Sequence, residues 1–363
     1  MRIYPRHGAP IMLALVVGGV QAQTNVQLYA RLNVAAEYVN ASAITDGTGL
    51  SQRRISNNRS VLGFRGSEDL GGGVSAIFQV EGTLAVDTGA GELARRDTRV
   101  GLDSGFGTLF AGHWVTAYNG ATSGLDPFYP TTAGYMSIIG NGAAAAVDNV
   151  SNAYSFDRRQ ANSLHYWSRP WKGLGVRLTH GVAEERPAGG AKPSLTSVAA
   201  IYEQGPWYAT LAHERHHAYQ GAGLDDSGTK LALARRFGAT RVALLAERLE
   251  YETAGGRLDR NAWYVSVSHQ MGPHGVRLGL ARAGDGKGSV GNRVGFVRGG
   301  ADTGATHVTL GWDYTLSKRT ALYAYVTHLD NEANGAYDFA INSVDAAPGA
   351  TLRGAVLGMR HAF

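Results

Sequence analysis

Short turn signals recur along this chain at near-regular spacing, at 66–73, 103–107, 168–173, 203–206, 236–240, 270–275 and 315–319. Between them lie segments of roughly ten residues whose polarity alternates, the pattern of strands with one face in water and one in an apolar medium. The last segment shows it well. Ala355, Leu357, Met359, His361 and Phe363 alternate with Val356, Gly358, Arg360 and Ala362. A strand that runs to the final aromatic residue suits a closed sheet whose last strand pairs with its first, since chain ends of ordinary domains fray.

Seven tight turns join fourteen strands, and a first strand at 26–39 plus the terminal one make sixteen. The expected strands begin near Val26, Gln52, Val74, Arg95, Thr108, Ala161, Leu174, Leu195, Trp207, Gly228, Arg241, Asn261, Gly275, Ala305, Thr320 and Arg353. Longer, polar, Gly-rich connections are expected between the hairpins, as at 40–51, 184–194, 217–227, 284–303 and 331–352. No strand is apolar on both faces over its full length, which argues against a β-sandwich. Short turns at one end and long loops at the other are the asymmetry of a transmembrane barrel. The fold class is therefore an all-β, antiparallel, sixteen-stranded transmembrane barrel wide enough for a water-filled lumen. An even strand count puts both ends of the barrel on the periplasmic side.

One connection is far longer than the rest, at about 118–160. It is rich in Gly, Ala, Ser and Asn, carries Pro127 and Pro130, and has few charges. A loop of this length is usually functional. A constriction folded into the lumen is the expectation, with a mobile external loop as its rival.

Arg2, Arg6, an apolar run at 11–20 and the Val20-Gln21-Ala22 site read as a signal peptide over 1–22, too short to span a membrane. The barrel then occupies 23–363, with 32 basic against 29 acidic residues. No later stretch is long and apolar enough for a membrane helix, so a membrane role falls to strands. The chain has no cysteine, which excludes disulfides and thiolate metal sites. No basic block is interleaved with aromatics, so nucleic acid is not an expected partner.

Several blocks carry a family resemblance. They are RSVLGFRGSEDLGGGVSAIFQVEG at 59–82, VGLDSGFGTLFAGH at 100–113, NSLHYWSRPWKGLGVRL at 162–178, LSKRTALYAYV at 316–326 and the ending GMRHAF. Together, and in this order, they resemble the general porins of Gram-negative bacteria, most of all those of β-proteobacteria. The resemblance implies an outer-membrane homotrimer with the third extracellular loop folded into each pore. It also implies contact with outer-membrane lipid and lipopolysaccharide, and a terminal strand ending in Phe363 that signals to the barrel-assembly machinery. Two departures stand out. Val61 precedes Leu62-Gly63-Phe64 where the family usually has Arg, and Arg59 is the nearest match. The Pro-Glu-Phe-Gly loop motif is absent, with Asp126-Pro127-Phe128 as its nearest acidic stand-in.

A channel filters by width and by lumen charge. Strand parity places Arg31 and Arg59 inward. The resemblance adds Arg96 and Arg159 as pore positions, with Arg95 and Arg99 on the opposite parity to Arg96. Glu81 and Asp126 are the expected acids of the constriction. Arg177 and Arg277, each between apolar neighbours, are expected in the lumen near the periplasmic turns. A mid-membrane arginine facing lipid costs about 2–4 kcal/mol, which favours inward placement. Basic wall against thin acid implies small anions and hydrophilic solutes as cargo, with a weak anion preference. A porin specific for phosphate or an organic acid is the alternative. A barrel enzyme or an adhesin ranks lower, because no Ser/His/Asn constellation is evident and a buried core is lacking.

Two motifs are decoys. His213-Glu214-Arg215-His216-His217 matches H-E-x-x-H, but that zinc site needs a helix. Here the flanks read as a strand, which would separate His213 and His217 by roughly 13 Å. Gly71, Gly72 and Gly73 lack the Lys-Ser/Thr of a phosphate loop and sit in a tight turn. No metal or cofactor is expected.

Overall fold

A computed structural model describes residues 25–145, 153–182, 184 and 190–363. The expected signal peptide lies outside the described residues. Sixteen barrel strands are present among them. They are β1 (Asn25–Ala41), β2 in two pieces (Leu50–Asn57 and Val61–Asp69), β3 (Ser75–Leu84), β4 (Thr98–Ser104), β5 (Gly107–Val115), β6 (Asp157–Trp167), β7 (Leu174–Gly181) and β8 (Ser194–Gln204). The second half adds β9 (Trp207–His217), β10 (Asp225–Phe237), β11 (Thr240–Thr253), β12 (Gly256–Met271), β13 (His274–Ala283), β14 (Ala305–Thr315), β15 (Thr320–Asn331) and β16 (Thr351–Ala362). Each pairs antiparallel with its sequence neighbours.

The sheet closes on itself. β1 pairs with β16 from Arg31↔Ala362 to Ala41↔Leu352. Phe363 extends the seam: its amide donates to the Ala30 carbonyl and its carbonyl accepts the Ala30 amide, both at 3.1 Å. Closure pairs the backbone groups of the first and last strands along this seam, where an open edge in lipid would be penalised.

Alternation sets the two faces. Leu231, Leu233, Leu244, Trp263, Leu310, Val326 and Leu357 are exposed on the outside, where lipid would cover them. Asn33, Ser197, Glu214, Lys230, Glu247, Arg260 and Thr309 are buried on the inside.

Two strand features differ from expectation. The connection after β11 is not long: Thr253 pairs with Gly256, leaving a two-residue hairpin turn. β2 breaks at Asn58–Ser60, where Arg59 takes a left-handed backbone (φ 55°). Asn33 bridges the gap by donating to the Asn58 carbonyl (3.1 Å), while Ser60 Oγ accepts its amide (2.8 Å).

The long connection spans 116–156, between β5 and β6. Its described residues, 116–145 and 153–156, lie against the inner wall. Leu125, Tyr135, Met136, Ile138 and Ile139 pack with Ala232, Ala243, Leu245, Ala262 and Tyr264 from β10 to β12. Burying each of these larger loop side chains is worth about 1.5–3 kcal/mol.

Candidate pore constriction

The long loop enters the barrel through a short helix, α1 (Ala117–Thr122), capped by the Thr116 hydroxyl, which accepts the Asn119 amide at 3.2 Å. The first free amides of that helix are taken by the wall: Ala117 donates to Thr179 Oγ1 (3.0 Å) and Tyr118 to Ser197 Oγ (2.9 Å). Wall hydroxyls therefore satisfy the helix end in place of water.

Further along, a buried ionic set holds the loop. Glu247 accepts the Tyr118 hydroxyl at 2.7 Å, the Gly140 amide, and Arg260 at 2.8 Å. Arg260 also donates to the Ile138 carbonyl. Lys230 pairs with Asp157 at 3.5 Å and stands 3.9 Å over the Tyr118 ring. Buried charges persist only when paired and hydrogen-bonded, and here the loop supplies much of that pairing.

The loop tip seats on two glycines. A Cβ on Gly279 would stand 2.9 Å from the Phe128 ring, and one on Gly311 would stand 2.7 Å from it. Phe128 packs edge-on against Tyr325 at 5.1 Å. The tip then reaches the seam: Asn33 Nδ2 donates to the Pro130 carbonyl (3.3 Å) and Thr132 donates to Glu37 (2.7 Å). The loop thus covers the wall from β7 round to β1. The sector from β1 to β6 faces Tyr129, whose hydroxyl meets Arg59 there.

Four of the expected arginines meet in that sector. Arg31 donates from Nη2 to the Arg59 carbonyl at 3.1 Å, and Arg59 donates from Nη1 to the Tyr129 hydroxyl at 3.4 Å. Arg96 pairs with Glu81 and Arg159 with Asp97, at 2.8 and 2.7 Å. Tyr29 donates to Glu81 as well, at 3.0 Å. Among the described residues no carboxylate lies within ion-pair distance of Arg31 or Arg59. Tyr129 registers this field. Burial alone would raise its phenol, yet Arg59, Arg159 and Arg96 bring it down to about 7.

Other expected site residues stand elsewhere. Glu81 does face the lumen, but as the partner of Arg96. Asp126 is no pore acid. Its carboxylate accepts the amides of Phe128 (3.0 Å) and Tyr135 (3.1 Å) and the Tyr264 hydroxyl (3.2 Å), tying the loop turn to β12. Burial pushes this carboxyl up to about 6 despite those bonds. A lone Asp in a Gly- and Pro-rich loop reads as an exposed charge, and only the fold shows it enclosed. Arg277 faces inward but holds the loop, donating to the Pro127 carbonyl and pairing with Asp313. Arg177 faces inward against the Trp167 ring at 4.7 Å.

Two inward residues escaped sequence reasoning. Asp97 precedes β4, where alternation gives no guidance. Arg99 faces inward together with Arg96, although they differ in parity, because residue 96 lies before the strand begins at Thr98. The signal for Arg99 was available in β4 itself, since Val100 and Leu102 are its outward neighbours.

The H-E-x-x-H segment is the upper part of β9. His213 and His217 face outward and bond Thr229 (2.8 Å) and Asp225 (2.7 Å). Glu214 and His216 face inward and bond each other at 2.9 Å. The helical face that a zinc site needs is not formed.

Comparison with known proteins agrees with this architecture. The family model described as Gram-negative porin matches residues 9–334. Outer membrane porin protein 32 of Delftia acidovorans is 28% identical over 97% of this chain and 99% of its own length. Major outer membrane protein P.IB of Neisseria gonorrhoeae is 27% identical over 86% of this chain and 90% of its own. Among solved structures, the anion-selective porin from Comamonas acidovorans superposes with a TM-score of 0.79 at 23% identity, covering 94% of this chain and 100% of that one. OmpT of Vibrio cholerae superposes at 0.67 with 14% identity, over 94% and 98%.

Proposed function

The chain belongs to the Gram-negative porin family, and from that premise we propose that its lumen is a weakly anion-selective path for passive diffusion of small hydrophilic solutes. The protein is a channel of the outer membrane, not an enzyme. The observation that carries the anion reading is the charge balance opposite Tyr129. Four guanidiniums, Arg31, Arg59, Arg96 and Arg159, meet two carboxylates, Glu81 and Asp97. Arginine keeps its charge at any physiological pH, so the surplus is a fixed positive field. In a narrow lumen with low-dielectric walls that field acts on passing ions more strongly than it would in open water.

The deciding experiment is the reversal potential of the purified channel in a potassium chloride gradient. Chloride preference that weakens as salt rises is the expected result, because screening shortens to about 8–10 Å near 0.1 M. Potassium preference at low salt would remove the proposal.

The assembly we propose is a homotrimer. The outward face near the β1–β16 seam supports it: an apolar groove of about 1140 Å³ there is lined by Ala36, Ile55, Leu310, Ala324, Val326 and Leu357 among others. Lipopolysaccharide and lipid would cover the remaining outer face, and the terminal strand would be what the barrel-assembly machinery engages.

A further inference from the structure

Below the constriction the lumen wall carries a second cationic feature that the charge balance above does not use. Arg99 on β4 stands over three aromatic rings: Trp114 at 4.3 Å, Phe110 at 4.8 Å and Trp167 at 5.3 Å. Its Nε and Nη1 are buried with no hydrogen-bond acceptor. Arg99 as a whole stays partly exposed on the inward face. Arg177 on β7 adds a second guanidinium at the Trp167 ring, 4.7 Å from its centre. Among the described residues neither arginine has a carboxylate within ion-pair distance. The neighbouring acid Asp103 is already engaged by Arg169 at 2.7 Å and Thr108 at 2.5 Å.

This wall adjoins a cavity of about 380 Å³ on the periplasmic side, lined among others by Thr108, Trp167, Arg169, Arg177 and Glu203. Its volume lies within the range of small-molecule sites, about 300–1,000 Å³. The position follows from the chain. Arg99 is two residues past Asp97, so roughly 7 Å further along the strand toward the periplasm.

Chemistry narrows the ligand. Guanidinium is weakly hydrated, and here ring faces replace part of its water. A small, strongly hydrated anion gains little from such a surface. A flat organic anion can set its carboxylate against guanidinium and its ring along indole, satisfying charge and stacking together. Glu203 across the cavity opposes a second negative charge, which favours a monoanion. We propose that Trp167 and Arg177 line a binding site for aromatic monocarboxylates in the periplasmic vestibule, with Arg99 and Trp114 behind the Trp167 ring supplying further positive charge and rigidity. The proposal rests on the anion-channel reading and adds a substrate class to it.

The test uses the full folded channel in a planar bilayer, with benzoate and cyclohexanecarboxylate as probes. They share charge and approximate size, and only benzoate has a flat π face. The expected result is that benzoate reduces the chloride current at a concentration roughly three- to tenfold below cyclohexanecarboxylate, the discrimination one desolvated cation–π wall provides. Trp167→Leu keeps both charges and should bring the two probes to parity, and Arg99→Gln should weaken block by both. Equal block by the two acids in the unaltered channel would overturn the site, and because that measurement needs no variant, a misfolded variant cannot obscure it. A benzoate preference that survives both substitutions would also overturn it by placing the site elsewhere. The chloride-to-potassium ratio, read in the same bilayer, separates the two ideas. Chloride preference with equal block sinks only the aromatic site, whereas potassium preference sinks the anion channel beneath it.

Discussion

Both carboxylate oxygens of Glu247 on β11 accept the amide of Gly140 in the long loop, at 3.0 and 2.9 Å. This one side chain also engages Arg260 and Tyr118, so it links the loop's first helix and its later turn to a single point on the wall. Removing one member of a buried pair leaves the other charge uncompensated, at a cost of about 3–5 kcal/mol. Glu247→Ala should therefore lower the thermal midpoint of the channel, raise its conductance and add current noise as the loop loosens. Glu247→Gln, which keeps an acceptor oxygen, should do less. A Glu247→Ala channel with quiet, unchanged conductance would show that the loop is held by its apolar contacts alone.

Tyr129 makes the pore charge depend on pH. Its phenol stands near 7 because three arginines favour the phenolate more than burial opposes it. A negative charge therefore appears in the constriction as pH rises through 7, and it offsets part of the basic surplus. Anion preference should fall between pH 6 and pH 8. Tyr129→Phe should hold the preference constant over that window at its low-pH value. The check is the reversal potential of both proteins at several pH values, and a parallel slope in the two would assign the titration to another group.

Much of this architecture is legible in the sequence, and the boundary of legibility is physical. The periplasmic hairpins fall where Gly, Pro and Asp mark them, as at the Trp207 and Leu174 starts. The outer ends do not. β12 begins at Gly256, where alternation suggested Asn261, because Arg257 and Asp259 face outward above the apolar band. Pairing continues there after the polarity signal has stopped. β6 begins at Asp157, not Ala161, for a related reason: Arg158 and Arg159 are both buried, Arg158 over the Tyr219 ring and Arg159 on Asp97, so polarity there does not mark the strand. The inward placement of Arg31 and Arg59 is legible from parity, and Arg96 and Arg159 from resemblance, whereas Asp97 as a partner and Asp126 as a loop anchor depend on contacts across long sequence separations.

Phe363 closes the barrel through its backbone, by the two hydrogen bonds with Ala30. Deleting it removes that pair and bares one amide and one carbonyl of Ala30 at the periplasmic end of the seam. Assembly in the outer membrane should fall sharply on deletion. Phe363→Ala keeps both backbone bonds, so it should retain more folded barrel than the deletion if closure dominates. The yield of heat-modifiable barrel in outer-membrane fractions measures this. Normal yield from the deletion would mean that neither the pairing nor the terminal aromatic is required.

The last expectation separates paired from unpaired charge in the constriction. Arg96 and Arg159 are offset by Glu81 and Asp97 at 2.8 and 2.7 Å, whereas Arg31 and Arg59 have no such partner. The surplus therefore resides in the second pair. Both are partly exposed to the lumen, while Arg96 and Arg159 are buried. Arg31→Ser with Arg59→Ser should bring chloride and potassium permeability close to equal, leaving two neutral pairs behind. Arg96→Ser alone should shift selectivity less and cost more stability, because it strands Glu81 beside Tyr29 with its main counter-charge gone. Glu81→Gln should move selectivity the other way, toward stronger anion preference, by freeing the charge of Arg96. Single-channel reversal potentials at about 0.1 M salt, where the screening length is near 10 Å, resolve all three. If the Arg31 and Arg59 double variant keeps the unaltered reversal potential while Arg96→Ser shifts it, the pore axis runs past the paired arginines and ions do not pass Arg31 and Arg59.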